Sequence, residues 1–346
     1  MGWLNVEERQ DIRISICIPT YNRSDLLKKT LISVDKQTVK PYEVIVADNC
    51  LGDDTESVAK SFPGVIYYRN ERNLGLAGNS NRCIQLAKGE FVTILHSDDL
   101  ISPYWHEYWL SVLTRYKANQ DIAAFFSSTF TIDANDKAKI VYRVFSDERV
   151  LAQGEAFNVL WSRNMFGLPA SGSTIFRKSI FDDIGAYAEE LSIESDALLV
   201  LRILNNYSIF HSPRLLYAFR LHPFQAFDKA TQEKTIDKKL SVLKRHLNIF
   251  KDFYNNELKP TYRYPMFYKR VALMYISIAL FYFITLKKDL AKKYYRITNG
   301  IFPDTFNNPG DYFVFVSMLF HYFKKLLWGR VLALPIRNMA CKWIKD

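Results

Sequence analysis

The chain has 346 residues, more than one hydrophobic core usually serves, so two structural units are expected. With 49% apolar and 24% charged residues it is neither a disordered chain nor a polyelectrolyte. Its net charge of +10 is concentrated: residues 1–227 carry 24 Lys+Arg against 27 Asp+Glu, whereas residues 228–346 carry 22 against 9.

From Arg13 onward short β-branched runs alternate with helical stretches. Residues 14–18 (ISICI) read as a buried strand closed by Pro19. Ser24 or Asp25 then caps a helix that places Leu26, Leu27, Thr30, Leu31 and Val34 on one face. Further strands are expected at 44–47 (VIVA), 65–68 (VIYY) and 91–95 (FVTIL), with a short helix around 79–88. This alternation predicts a parallel, doubly wound sheet. Residues 121–225 are mixed, with strands at 122–130, 172–176 and 215–221 and a helix over 196–204. Beyond about residue 228 strand signals fade and helical stretches dominate, giving expected domains 13–227 and 228–346. Four scattered cysteines without a CxxC pair fit a reducing compartment rather than a zinc site or disulfide framework. Acidic and basic residues at positions 7–13 break any early apolar run, so no signal peptide is expected.

Polar residues gather where three strands end: Thr20-Tyr21-Asn22-Arg23, Asp48-Asn49 and His96-Ser97-Asp98-Asp99. In an open parallel sheet the carboxyl ends of the strands form the ligand crevice, so Asp48, Asp98 and Asp99 are expected to converge there. Each of them taken singly reads equally well as a turn or cap residue.

These segments together resemble the family 2 glycosyltransferases over residues 14–225. The resemblance is carried by ICIPTYNR, by VIVADN with the following Asp53-Asp54-Thr55, by NLGLAGNSNRCIQLAKGEF, by HSDD and by IESDALLVLR. It is nearest to the branch that builds bacterial surface polysaccharides such as O-antigen, lipopolysaccharide or capsule. It implies a GT-A fold, α/β and Rossmann-like with a mostly parallel sheet, followed here by an α-helical C-terminal region. It further implies a nucleotide-sugar donor held by Pro19, Thr20, Tyr21, Arg23, Asp48, Asn73 and Asn81, with Asp48 on a uracil or thymine base. Mg²⁺ or Mn²⁺ would bind Asp99 directly, with Asp98 as second ligand or ribose contact. Such ions favour one or two carboxylates plus phosphate oxygens and neutralise a pyrophosphate leaving group. An inverting transfer needs a carboxylate to take the acceptor proton. The resemblance gives that role to Asp196, with Glu194 as rival. In FRLHPFQ (219–225) it implies that Arg220 offsets charge on the donor phosphates and that His222 meets the pyrophosphate or completes the metal shell. His96 is read as a packed residue.

Ser97 and Ser195 stand where the family commonly has acids, which keeps open a catalytically weak subunit that binds partners at the membrane. A nucleotidyltransferase is disfavoured, because PTYNR follows the first strand where a Gly-rich basic loop would be needed.

The tail holds a 16-residue uncharged run at 271–286 between Lys269-Arg270 and Lys287-Lys288. As a helix it is about 24 Å long, short of a hydrocarbon core of roughly 30 Å. A second uncharged run at 312–323 precedes Lys324-Lys325, Trp328 and Arg330. Rings beside cations suit an interfacial helix on an anionic membrane surface; packing against the catalytic domain is the alternative. Nucleic acid is not expected as a partner, since the uncharged runs are too long for a phosphate-binding face. The expected setting is peripheral, on the cytoplasmic face of a bacterial inner membrane, with a glycan or lipid-linked saccharide as acceptor.

Overall fold

The computed structural model describes residues 12–49, 52–156, 171–191 and 194–221, with positions 245, 248–249, 251–253 and 255–257. The chain divides into two compact units, Met1–His222 together with Ala333–Asp346, and Pro223–Leu332, and the elements below belong to the first. His222 itself and the uncharged runs at 271–286 and 312–323 fall outside the described residues.

The first half follows the expected alternation. It runs β1 (Ile14–Thr20), α1 (Ser24–Asp35), β2 (Glu43–Asp48), α2 (Thr55–Lys60), β3 (Val65–Arg69), α3 (Gly75–Leu86) and β4 (Phe91–Ile94). β1 lies between β2 and β4, β3 flanks β2, and all four are parallel. Every residue of β1, β2 and β4 is buried, as parallel strands covered on both faces require. α1 turns Leu27, Thr30, Leu31 and Val34 inward at helical spacing.

Then come β5 (Leu100–Ile101), α4 (Trp105–Tyr116), β6 (Ile122–Ile132), β7 (Ala138–Tyr142) and β8 (Arg149–Leu151). β9 (Thr174–Arg177), α5 (Ile180–Ile184), α6 (Glu194–Asn206) and β10 (Ser208–Arg220) complete the unit. Among the described residues these strands form one ten-stranded sheet of order β3-β2-β1-β4-β9-β6-β10-β5, with β7 on β6 and β8 on β10. β9 runs antiparallel to both β4 and β6, so the parallel expectation holds for the first half and gives way to a mixed sheet there.

One sequence reading is corrected by packing. β10 begins at Ser208, not at 215, and continues through Pro213 because the register slips between Ser212 and Leu215. The bulge absorbs a residue that has no N–H to give to the ladder. α4 is amphipathic: Trp105, His106, Tyr108, Trp109, Leu110, Val112 and Leu113 are buried, whereas Glu107, Ser111, Thr114 and Arg115 follow one another at helical spacing on its more open side. Its Trp109 packs edge-on to Phe210 at 6.4 Å, and Phe210 meets Tyr116 at 5.2 Å and Phe125 at 5.9 Å. These rings are core between α4 and the sheet, where such pairs add to the burial of large side chains.

The start of β4 is pinned by Gly89. Its N–H donates to Ser15 Oγ (2.8 Å), which donates to Glu43 Oε1 (2.6 Å), which also accepts the Lys88 N–H (2.6 Å). A Cβ at 89 would sit 2.5 Å from Ser15 Oγ and 2.8 Å from the Arg13 carbonyl, so only glycine fits this approach.

Candidate active site

Three parallel strands end side by side. Thr20 pairs with Asp48 and Asp48 with Arg69, so the β1, β2 and β3 termini are level. Leu95 N–H donates to the Cys17 carbonyl at 2.8 Å, which carries the pairing of β4 one residue further and delivers residues 96–99 beyond the same sheet edge. Asp48, Asp98 and Asp99 thus reach one end of the sheet from three positions, and all three are buried.

The Asp48 carboxylate accepts the Tyr67 hydroxyl at 2.7 Å and lies 3.9 Å from Arg69 Nε, which donates to the same hydroxyl at 2.9 Å. Burial first, and then the bond to Asp48, push the Tyr67 hydroxyl well above its ordinary pKa, so it stays a donor. Thr20 is 2% exposed, and its hydroxyl has no hydrogen-bond partner among the described residues. Beside it Tyr21 is half exposed. Pro19 is buried in β1, paired to Ala47. The Asn73 side chain accepts the Gly75 N–H at 2.8 Å, shaping the exposed turn into α3.

The His96–Asp99 turn closes through the Asp99 N–H to the His96 carbonyl at 3.1 Å. Asp98 meets Arg23, the residue before α1, at 2.5 Å. Asp99 accepts the Tyr217 hydroxyl and, at 2.7 Å, the Arg220 N–H. Burial and the neighbouring Asp98 charge, in that order, raise the Asp99 carboxyl well above the usual carboxylate range. His96, read as a packed residue, lies 3.7 Å from Asp99 and is partly open to solvent. His96, Asp98 and Asp99 can each turn one ligand atom to within 4.8 Å of the others. One imidazole and two crowded carboxylates suit a divalent cation, whose charge would relieve the repulsion between the acids. Neither carboxylate is saturated by the bonds above, since each offers about four acceptor positions.

Asp196 is the third residue of α6 and half-buried, in the first helical turn rather than at the capping position. Its charge is close enough to help raise the pKa of Tyr217, the residue bonded to Asp99. Ser195 beside Asp196 is buried.

Two residues implied as donor contacts are otherwise engaged. The Asn81 amide bonds both the N–H and the carbonyl of Tyr187, at 2.9 and 2.8 Å, and reaches Glu189 at 2.9 Å. It fastens α3 to the segment before α6. Arg220 turns its guanidinium into the protein, where it is 1% exposed and paired with Asp136, because Asp98 and Asp133 present carbonyls there.

Tyr217 was missed by sequence reading, as was an amide ladder behind the crevice. Asn70 donates to Asn49 (2.8 Å) and Asn79 (2.7 Å), and Asn79 donates to the Ala47 carbonyl (2.9 Å). A cue existed, since Asn70 directly follows a strand and Asn79 opens the stretch read as a helix. Their pairing across the sheet edge did not show. Tyr217 had no cue, for it looks like any aromatic of a buried strand.

Comparisons with known proteins agree on this fold. Residues 15–185 match the family model described as Glycosyl transferase family 2. An uncharacterized glycosyltransferase of Rickettsia typhi is 26% identical over 220 residues, covering 64% of this chain and 67% of the relative. The GalNAc(5)-diNAcBac-PP-undecaprenol beta-1,3-glucosyltransferase of Campylobacter jejuni is 38% identical over 92 residues, 25% of this chain and 30% of that protein. The crystal structure of S. aureus TarS 1-349 in complex with UDP-GlcNAc has a TM-score of 0.53 at 18% identity, covering 83% of this chain and 91% of that one. At that identity the likeness is one of fold.

Proposed function

The chain is a glycosyltransferase whose residues 15–185 form a family 2 domain of GT-A type, and on that premise we propose that it moves a sugar, with inversion, from a UDP- or dTDP-sugar to a growing lipid-linked surface glycan. The observation that carries this reading is the gathering of Asp48, Asp98 and Asp99 at one sheet end, with Asp196 in electrostatic reach of Tyr217. The Campylobacter relative, by its name, acts on an undecaprenol-linked glycan, and TarS has been seen with UDP-GlcNAc.

In this reading Asp48 and the free Thr20 hydroxyl face the nucleoside, with Pro19, Tyr21 and Asn73 shaping its cleft. Arg23 steers Asp98, His222 meets the phosphates, and Asp99 and Asp98 hold Mg²⁺ or Mn²⁺. When bound, the cation neutralises charge on the departing diphosphate. The acceptor oxygen forms its bond to the anomeric carbon as the bond from that carbon to the phosphate oxygen breaks. The acceptor proton passes to Asp196, and the bonding electron pair leaves with the nucleoside diphosphate.

Residues 228–346 are the membrane-associating part, which would place the enzyme on the cytoplasmic face of the inner membrane beside its lipid-linked acceptor. Among the described residues no helix is long and apolar enough to cross a membrane. Full-length protein should sediment with anionic liposomes and a 1–227 truncation should not; equal behaviour of the two would remove the membrane assignment.

The decisive experiment is a thermal-shift screen of UDP, dTDP and their sugars with and without Mn²⁺ or Mg²⁺. A cation-dependent rise with one nucleotide is expected, followed by nucleotide release when acceptor glycan is added. No response to any nucleotide would favour the catalytically weak subunit.

A further inference from the structure

The Asp98–Asp99 pair is braced from several remote points. Arg23 meets the Asp98 carboxylate, and the Thr30 hydroxyl of α1 donates to the Asp99 carbonyl at 2.8 Å. Arg220 holds both residues at once: its Nε donates to the Asp98 carbonyl and its backbone N–H to the Asp99 carboxylate, each at 2.7 Å. A buried guanidinium stays ordered only when its charge is matched.

The match comes from Asp136, in the turn between β6 and β7 and 84 positions away in sequence. That turn is rigidly built. Asp133 Oδ1 accepts the N–H groups of Asn135 and Lys137, both at 3.0 Å, and the Asp136 N–H donates to the Asp133 carbonyl at 3.0 Å. Asp136 sits at φ +62°, a conformation that Asp and Asn adopt more readily than most residues. Its other oxygen accepts Lys29 of α1 at 2.9 Å. Asp136 thereby ties α1, which carries Thr30 and directly follows Arg23, to the strand that carries Arg220.

We propose that Asp136 is a positioning residue for the cation site, setting cation affinity through Arg220 by fixing where the Asp98 carbonyl and the Asp99 carboxylate stand. It does so without joining the site, since among the described residues those able to converge on an ion are His96, Asp98 and Asp99. The inference rests on the reading of that cluster as a cation site. Partners standing behind metal ligands commonly change metal affinity by about 10- to 100-fold.

The test is titration of Mn²⁺ into the full-length protein with UDP present, read by calorimetry alongside the melting temperature. Asp136→Asn tolerates the positive φ, keeps an acceptor oxygen and removes the charge. It is expected to weaken Mn²⁺ binding by about tenfold or more, and Asp136→Glu should recover most of the loss. Glu43→Gln, at the opposite end of β2, is the control for stability alone: it should lower the melting temperature and leave Mn²⁺ affinity unchanged. Wild-type affinity in Asp136→Asn would overturn the positioning role while leaving the cation site standing. No Mn²⁺ binding by the unaltered chain would overturn both. If Asp136→Asn does not fold, Lys29→Met decides instead, because it removes only a partly exposed ion pair that folding does not depend on. It should weaken Mn²⁺ binding measurably, and unchanged affinity would overturn the proposal.

Discussion

Asp196→Asn is expected to cut turnover by about 10²-fold or more while UDP affinity stays nearly unchanged, since a positioned general base contributes on the order of 10²–10⁴. The substitution keeps the shape of a half-buried side chain in the first turn of α6 and removes its charge and its ability to take a proton. A carboxylate there is also favoured by the helix dipole, so its loss should lower stability by about 0.3–1 kcal/mol. Steady-state kinetics with calorimetric UDP binding separates the two effects. Turnover near wild type would reassign the base to Glu194, two residues earlier.

Asp99→Asn should give the opposite combination: an undiminished ligand-free melting temperature and no response to Mn²⁺ with UDP. The Asp99 carboxyl is fully buried beside Asp98, and its pKa is raised well above the ordinary carboxylate range, by burial first and then by that neighbour. A raised folded-state pKa means that the ionised form opposes folding. The penalty is absent below the unfolded-state pKa and grows as pH rises above it. Asparagine removes the charge and can still accept the Arg220 N–H. Ligand-free Asp99→Asn should therefore match or exceed the wild-type melting temperature at pH 7, and the difference should shrink as pH falls. With Mn²⁺ and UDP at 100 times the dissociation constant, wild type should gain about 2.7 kcal/mol and the variant close to none. A destabilised variant that kept its metal response would make Asp99 a structural acid and Asp98 the ligand.

The first half of the fold was legible because it is local. ISICIPT, EVIVAD and FVTI are continuous apolar runs bounded by turn residues, and parallel strands buried on both faces look like that. The second half resisted for an identifiable reason: a bulge carries Pro213 through β10, a residue that ordinarily argues against a strand interior. The site divides in the same way. Asp48, Asp98 and Asp99 announced themselves as acids at strand ends, whereas Asn81 and Arg220 matched motif positions yet bond to the protein itself.

The sequence by itself determined the alternation of strands and helices, the end of the sheet at which polar groups collect, and the family of the N-terminal domain. Spacing of two and of 3.6 residues and strand-end chemistry are written within a few neighbouring positions. Only the tertiary structure decided which groups serve those acids. The antiparallel pairing of β5 with β10 brings Tyr217 opposite Ile101, and so sets Tyr217 and Arg220 against Asp99, 118 and 121 positions away. The β6–β7 turn then supplies Asp136 to the buried Arg220. Charges and hydrogen bonds act through a few ångströms of space, and which residues come that close is set by the sheet order that brings them together.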